Sequence, residues 1–434
     1  MIRVAELFAG VGGFRAGLDE VSGQPFHTVW FNQWEPGKSD RSQHAWRRYC
    51  EAFGECPESA KHRLTNLSIT EVVENHFASI PDHDLLVGGF PCQDYSVAKT
   101  LSTAKGLEGK KGVLWWDIYK LLLRKGDKAP RFLMLENVDR LLKSPSTQRG
   151  RDFAVMLSSL DQLGYAVEWR VINAADYGMP QRRRRVYILG YRRGSPEYEA
   201  MRKNPTRWVL SLGVFATTFP VGPLDDCLSL FPTQLHAPDV ETIKFNAHGG
   251  PTPFENAGAM VNGQFVSLKT RPVFDGVRTV IRDILEPIEK VPQEFFLSDA
   301  TLPVWRHLKG GKAEKRKSKS GFEYEYTEGP VAFPDPLDKP SRTVVTGEGG
   351  ATPSRFKHVV EQGGRLRRLL PVELERLNMF PSGHTAGATD TQRAFFMGNA
   401  LVVGVVTKLG EELGHRWSMT EPSESVSPEL ALAT

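Results

Sequence analysis

The sequence predicts an α/β protein: a doubly wound, mostly parallel sheet covered by helices, with a second, smaller domain set between two portions of the first. Three observations carry this. Short β-rich runs alternate with amphipathic stretches through the first 190 of the 434 residues, as in sheets flanked by helices on both faces. Glycines cluster directly behind the first run, at Gly10, Gly12 and Gly13. From 195 to 364 the alternation stops, while Pro and Gly become frequent and aromatics scatter.

The expected strands are residues 3–8, 28–34, 84–87, 131–135, 167–173 and 186–189, and helical periodicity marks 14–21, 44–53, 113–124 and 153–163. In a doubly wound sheet ligands bind beyond the carboxyl ends of the strands, so the residues of interest should follow each strand. Residues 366–378 and 395–413 regain helical, apolar character. The division expected is therefore a first domain over 1–194, a second over 195–364, a return to the first over 365–416, and a disordered tail over 417–434, which carries three Glu, no Lys or Arg, and interleaved Pro and Ser.

Composition narrows the class. With 40% apolar and 24% charged residues and a mean hydropathy of -0.34, the chain reads as globular. Apolar stretches such as 400–406 fall far short of the roughly 18 residues a membrane span needs. The N-terminus lacks a basic n-region, so no signal peptide is expected and cytoplasm is the default location. The four cysteines, Cys50, Cys56, Cys92 and Cys227, form no C-x-x-C pair, so neither a disulfide framework nor a metal site is expected. A net charge of +4 decides little. Its distribution is more informative: four successive arginines follow Gln181, and 306–319 holds seven Lys/Arg against a single Glu314. Taken alone, the second run reads as a solvated loop, and its glycines and serines suggest a flexible one.

Each expected strand end delivers polar chemistry. Behind the first, Phe8-Ala9-Gly10-Val11-Gly12-Gly13-Phe14 lets a backbone approach a ligand closely. Behind the second stands Gln33-Trp34-Glu35, where a carboxylate can accept bonds from ribose hydroxyls and an indole can stack on adenine. Seen singly, Trp34 would be a core aromatic and Glu35 a surface charge. Pro91-Cys92-Gln93 follows the third strand, and a thiol there becomes nucleophilic where neighbouring cations favour the thiolate. The polar, glycine-rich stretch 95–112 after it reads as a mobile lid. Glu136-Asn137-Val138 ends the fourth strand, offering a carboxyl group able to share a proton with a bound base. Alternation places Arg183 and Arg185 on one face of the last strand, from which they could orient Glu136, hold a phosphate and depress the cysteine pKa.

With these residues in this order, the chain resembles the bacterial cytosine-5 DNA methyltransferases. The likeness continues in Arg365-Leu366-Arg367-Arg368-Leu369, in 373–380 and in Gly398-Asn399-Ala400-Leu401-Val402, and so covers both flanks of the chain. The resemblance implies a Rossmann-like methyltransferase domain, S-adenosyl-L-methionine as cofactor and double-stranded DNA as partner, with 195–364 as a target-recognition domain. It further implies that Cys92 attacks carbon 6 of a flipped cytosine, that Glu136 bonds the ring nitrogen and exocyclic amine, and that Arg183 and Arg185 steady the base and Glu136. Pro91, Gln93, Ser96 and Asn137 would line the substrate. Phe8, Gly10, Val11 and Gly13 would surround the methionine part of the cofactor, with Trp34 on the adenine, Leu114 beneath it, and Asn399 near the carboxylate.

Two departures stand out. The family commonly has an acid directly before the tryptophan, whereas here Gln33 precedes and Glu35 follows it, so either can serve the ribose. The acid usual at the end of strand three is replaced by Asn66 or Ser68, with Ile69 beside them. An RNA cytosine-5 methyltransferase, a nicotinamide-dependent oxidoreductase and a catalytically dead DNA-binding relative are the alternatives. The size of the middle domain favours DNA, and the intact Cys92 and Glu136 argue against the last two. The expected setting is a restriction-modification system or another phage defence, with restriction or defence proteins as functional partners, unless the enzyme is an orphan. The expected working form is a monomer, without metal and away from membranes.

Overall fold

Short, nearly continuous apolar runs form six strands where they are expected: β1 (Ile2–Leu7), β2 (Phe26–Asn32), β3 (Leu85–Gly89), β4 (Phe132–Val138), β5 (Tyr165–Asn173) and β6 (Arg184–Arg192). The computed structural model describes residues 1–39, 42–91, 114–224, 233–317, 321 and 323–420. Nine further strands follow: β7 (Val221–Pro223), β8 (Thr233–Gln234), β9 (Ala257–Val261), β10 (Gln264–Leu268), β11 (Thr270–Pro272), β12 (Lys312–Lys317), β13 (Glu323–Glu328), β14 (Val359–Gln362) and β15 (Arg365–Arg368).

Nine of these strands form one sheet in the order β2-β1-β3-β4-β6-β5-β9-β10-β8. It is parallel from β2 to β4 and antiparallel from β6 outward. Successive side chains point to opposite faces, and each face has its own core. Ile2, Val4, Leu85, Val87, Phe132, Met134 and Leu189 pack on one face, against the helices Gly13–Asp19 and Val403–Ser418. Ala5, Leu7, Leu86, Leu133, Leu135 and Ile188 pack on the other, with Trp115–Lys125 and Arg151–Gln162. The parallel half thus has the expected doubly wound form, and all four early helices form within a few residues of their predicted bounds.

The structure adds to the expected organisation in three places. The chain does not leave the sheet at 195, because β9 pairs with β5 and β10 with β9. β9 is Ala-Gly-Ala-Met-Val, all five residues buried, and its small residues carry little strand signal. The basic run 306–319, expected as a flexible loop, instead closes the helix Leu302–Lys309 and then forms β12, paired antiparallel with β13. Finally, the last helix runs through Ser418, past the point where a tail was expected. Trp417 packs beside Phe132 at 6.2 Å between ring centroids and beneath the Arg131 guanidinium at 5.3 Å. The expected tail from 421 onward lies outside the described residues. Among the described residues, no single helix is long and apolar enough to cross a membrane.

Candidate functional site

Beyond the carboxyl ends of β1 to β4 lies a cavity of about 590 Å³, within the range of small-molecule sites. Widely separated stretches of sequence build its wall.

The first is the turn between β1 and the helix Gly13–Asp19. Its backbone is left-handed at Phe8 (φ 54°), Gly10 (φ 57°) and Gly12 (φ 83°). Gly12 additionally has no room for a side chain, since a Cβ there would lie 2.2 Å from the Phe53 ring; both facts require glycine at this position. The turn is tied to the end of β2 by Ala9 N–H donating to the Asn32 carbonyl at 3.0 Å, and by Gly10 N–H donating to Gln33 Oε1 at 2.7 Å. Phe8, Gly10, Val11 and Gly13 all line the cavity.

Gln33, Trp34 and Glu35 form the next wall, with Trp34 38% exposed so that its ring face is open to a ligand. Both ribose candidates have structural work as well. The Gln33 carboxamide oxygen holds the Gly10 turn, and Glu35 Oε2 accepts from Ala45 N–H at 3.2 Å, capping the helix His44–Ala52. A carboxylate has acceptor capacity beyond one cap bond, which favours Glu35 for a second partner. Of the residues considered for the adenine, Ser68 and Ile69 line the cavity and Asn66 does not; Leu114 closes the same side.

Glu136 stands near the end of β4, opposite Gly89 of β3. A Cβ at Gly89 would lie 3.2 Å from Glu136 Oε2, so that glycine leaves the carboxylate its space. Arg185 Nε donates to Glu136 Oε1 at 2.9 Å, with both side chains mostly buried. Arg183, expected beside it on the carboxylate, is directed elsewhere. Its guanidinium is 3% exposed and donates to the backbone carbonyls of Val344 at 3.1 Å and Gly398 at 2.9 Å. Burial and the neighbouring Arg185 push its pKa down to about 9, which still leaves it charged at neutral pH. Arg183 therefore fastens two later segments to the cavity wall that it lines, and Arg185 makes the close ion pair with Glu136.

Asn137, expected at the substrate, lines the cavity from a mostly buried position. It is 2% exposed, and its amide donates to the Phe90 carbonyl at 3.0 Å. That bond fixes the turn which brings Pro91 to the cavity rim. Cys92, which follows, lies outside the described residues, as do Gln93, Ser96 and the whole of the expected lid over 95–112.

The remaining wall comes from the far end of the chain. Gly398, Asn399, Ala400 and Leu401 line the cavity, Asn399 with an exposed side chain. Gly398 meets the middle region edge-on, for a Cβ there would lie 2.2 Å from Thr346 N. Gln181, fully buried, ties the same parts together: it donates to Asn378 Oδ1 at 2.8 Å and accepts from Val344 N–H at 2.9 Å. Phe395, 46% exposed on the wall, and His384, which donates to the Val11 carbonyl at 2.6 Å, had no sequence signal. A lone aromatic or histidine in a polar stretch looks like any other. Among the described residues, no group of three or more His, Cys, Asp or Glu is arranged to hold a metal ion.

The site can thus hold a flat heterocycle and a polyol beside Trp34 and Glu35, and present a carboxylate–guanidinium pair to a second ligand at the opposite end. The profile of the family described as C-5 cytosine-specific DNA methylase matches residues 2–415. Type II methyltransferase M.Sau3AI of Staphylococcus aureus is 42% identical over 413 residues, 95% of each chain. Type II methyltransferase M.HhaI of Haemophilus parahaemolyticus is 34% identical over 191 residues, covering 44% of this chain and 49% of its own. In fold, the chain is similar to the crystal structure of S. pombe Dnmt2 methyltransferase, with a TM-score of 0.56 at 15% identity over 97% of this chain and 99% of that one.

Proposed function

The chain belongs to the C-5 cytosine-specific DNA methylase family, and from that premise we propose that it methylates a flipped cytosine in duplex DNA through a covalent Cys92 adduct, with S-adenosyl-L-methionine as the methyl donor. The observation that carries this is convergence. Trp34 and Glu35, the Glu136–Arg185 pair and the turn leading into Cys92 share one cavity, although they come from separate strands.

The residues present fit the cofactor. The left-handed glycine turn accommodates a close-lying chain, Trp34 offers a stacking face, Glu35 an acceptor pair, Ser68 a hydroxyl, and Asn399 a polar contact. When bound, S-adenosyl-L-methionine supplies an electrophilic methyl group on a sulfonium.

The chain's own residues do the rest. Carbon 5 of cytosine is a poor nucleophile; the Cys92 thiolate, by adding to carbon 6, turns the ring into an enamine-like species with electron density at carbon 5. Glu136 bonds the ring nitrogen and exocyclic amine and keeps a proton near N3, spreading the charge that develops. Arg185, bonded to Glu136, fixes the carboxylate's orientation. Loss of the carbon-5 proton then expels the cysteine. A base stacked within a duplex cannot reach this cavity, so the target leaves the helix. Part of residues 195–364, chiefly the portion beyond β11, would read the target sequence. The type II names of its relatives support a restriction-modification setting, and one base at a time suits a monomer.

The test is methyl transfer from labelled S-adenosyl-L-methionine to duplex DNA. Cys92→Ser should abolish transfer while leaving DNA and cofactor affinity within about threefold of wild type, because only the nucleophile changes. DNA carrying 5-fluorocytosine should trap a denaturant-resistant adduct with the wild type. Turnover by the serine variant, or absence of the adduct, rejects the covalent route.

A further inference from the structure

We infer that His384 is the positioning residue of the glycine turn, setting cofactor affinity from the returning chain without touching the reacting atoms; this rests on the S-adenosyl-L-methionine reading above. The turn from Phe8 to Gly13 follows neither strand nor helix geometry, so its peptide groups need partners from elsewhere. Asn32 and Gln33 supply two from β2 and the residue after it. The third comes from the far end of the sequence, where His384 Nε2 lies 2.6 Å from the Val11 carbonyl. A carbonyl can only accept, so Nε2 carries the proton. Val11 itself is a cavity residue.

The half-buried imidazole is held between two aromatic rings. It lies between the Phe380 ring at 4.7 Å and the Phe53 ring at 5.5 Å, and Phe53 is the ring that excludes a side chain at Gly12. The loop carrying it is nailed down by Glu375, which is fully buried and accepts from Gly383 N–H at 2.6 Å and Thr385 N–H at 3.0 Å. Arg393 holds that carboxylate in turn at 2.8 Å. Burial lowers the His384 pKa from its ordinary value, which keeps the ring neutral, with a single proton, at physiological pH. A ring so fixed imposes the position of the Val11 peptide, and through it the shape of the cofactor end of the cavity.

His384→Phe keeps the aromatic stack and removes the donor. Calorimetry with the wild type and S-adenosyl-L-methionine sets the reference. The variant should bind the cofactor about tenfold more weakly, the scale of one buried hydrogen bond. Its KM for cofactor should rise in parallel while kcat at saturating cofactor and the Kd for duplex DNA change less than twofold. His384→Gln, which can offer an amide donor, should recover most of the affinity. Unchanged cofactor affinity in His384→Phe overturns the inference, as does a fall in kcat, DNA affinity and thermal stability together, which would mark a merely structural residue. If His384→Phe does not fold, His384→Asn, too short to reach Val11, must show the same selective loss. A wild type that binds no S-adenosyl-L-methionine overturns the cofactor reading itself, a result distinct from equal binding by wild type and variant.

Discussion

Charged residues meet opposite fates in the cavity and in the β12–β13 hairpin. The cavity draws its polar groups from positions as far apart as Glu35 and Asn399, and sets Glu136 against Arg185 at 2.9 Å in a largely buried pair. The hairpin takes the most conspicuous basic run in the chain and lays it against an acidic partner strand: Lys312 opposite Glu328, Lys315 opposite Glu325, Lys317 opposite Glu323. Lys317 and Glu323 approach to 3.6 Å with both side chains well exposed. A run of like charge thus describes one strand, whereas the field it produces depends on the strand beside it. Dispersed residues become a site because the sheet topology gathers its strand ends on one edge.

The largest expected effect attacks the cavity's construction. Gly398 lets the middle region's backbone pass directly over the helix Asp390–Asn399, and its carbonyl is one of the two that Arg183 holds. Gly398→Val would force a branched side chain into Thr346 and should destabilise the fold by about 3 kcal/mol, as for overpacking against backbone that cannot yield. Denaturant unfolding reads this directly. A loss below about 0.5 kcal/mol would mean that the junction between middle region and cavity is loose, and the contrast with the self-contained hairpin would weaken.

The same contrast decides what could be read from the sequence. The six strands at the sheet's heart were legible as short apolar runs rich in β-branched and aromatic residues, spaced by amphipathic stretches, and the site was legible because each polar motif follows one of those strands. β9 was not, since Ala-Gly-Ala-Met-Val is dominated by small residues, with Val261 its one β-branched side chain. The hairpin was not, since β12 reads Lys-Ala-Glu-Lys-Arg-Lys, a run of charge with no apolar face, and the Glu/Tyr alternation of β13 went unread beside it. Arg183 and Asn137 sit where the motifs place them, yet their side chains turn to backbone carbonyls whose positions only the folded chain creates. His384 gave no signal because its partner, Val11, is 373 residues away.

An intermediate effect separates the two ribose candidates. Glu35→Gln keeps an oxygen to accept from Ala45, so the helix cap survives and only charge is lost. It should weaken S-adenosyl-L-methionine by about 1.5 to 3 kcal/mol, as for a hydrogen bond to a charged group. Gln33→Ala should cost about 0.5 to 1.5 kcal/mol, through the Gly10 turn that it frees. Titration calorimetry of each variant measures both losses. The reverse ranking would put position 33 on the ribose, and would make the glycine turn's anchor a ligand-binding group as well.

The smallest effect is expected in the hairpin. Lys315→Ala with Lys317→Ala removes two cations that stand opposite Glu325 and Glu323 in the register. Exposed pairs of this kind contribute about 0 to 1 kcal/mol to folding, so the thermal midpoint should hardly move. Lysines are suited to phosphates and poorly suited to reading bases, because a point charge on a mobile stem fixes no bidentate geometry. A cation that fully neutralises one DNA phosphate steepens the dependence of log affinity on log salt by about 0.9, and its removal flattens the line by the same amount. Since the facing glutamates already offset these lysines, the double variant should flatten it by less than one such unit in total, and bisulfite mapping should return the same methylated sequence. A change near two units would show that the lysines leave their glutamates to clamp the DNA backbone. A changed target sequence with the salt dependence intact would make the hairpin a base-reading element, and the conspicuous run of charge would then have pointed to function after all.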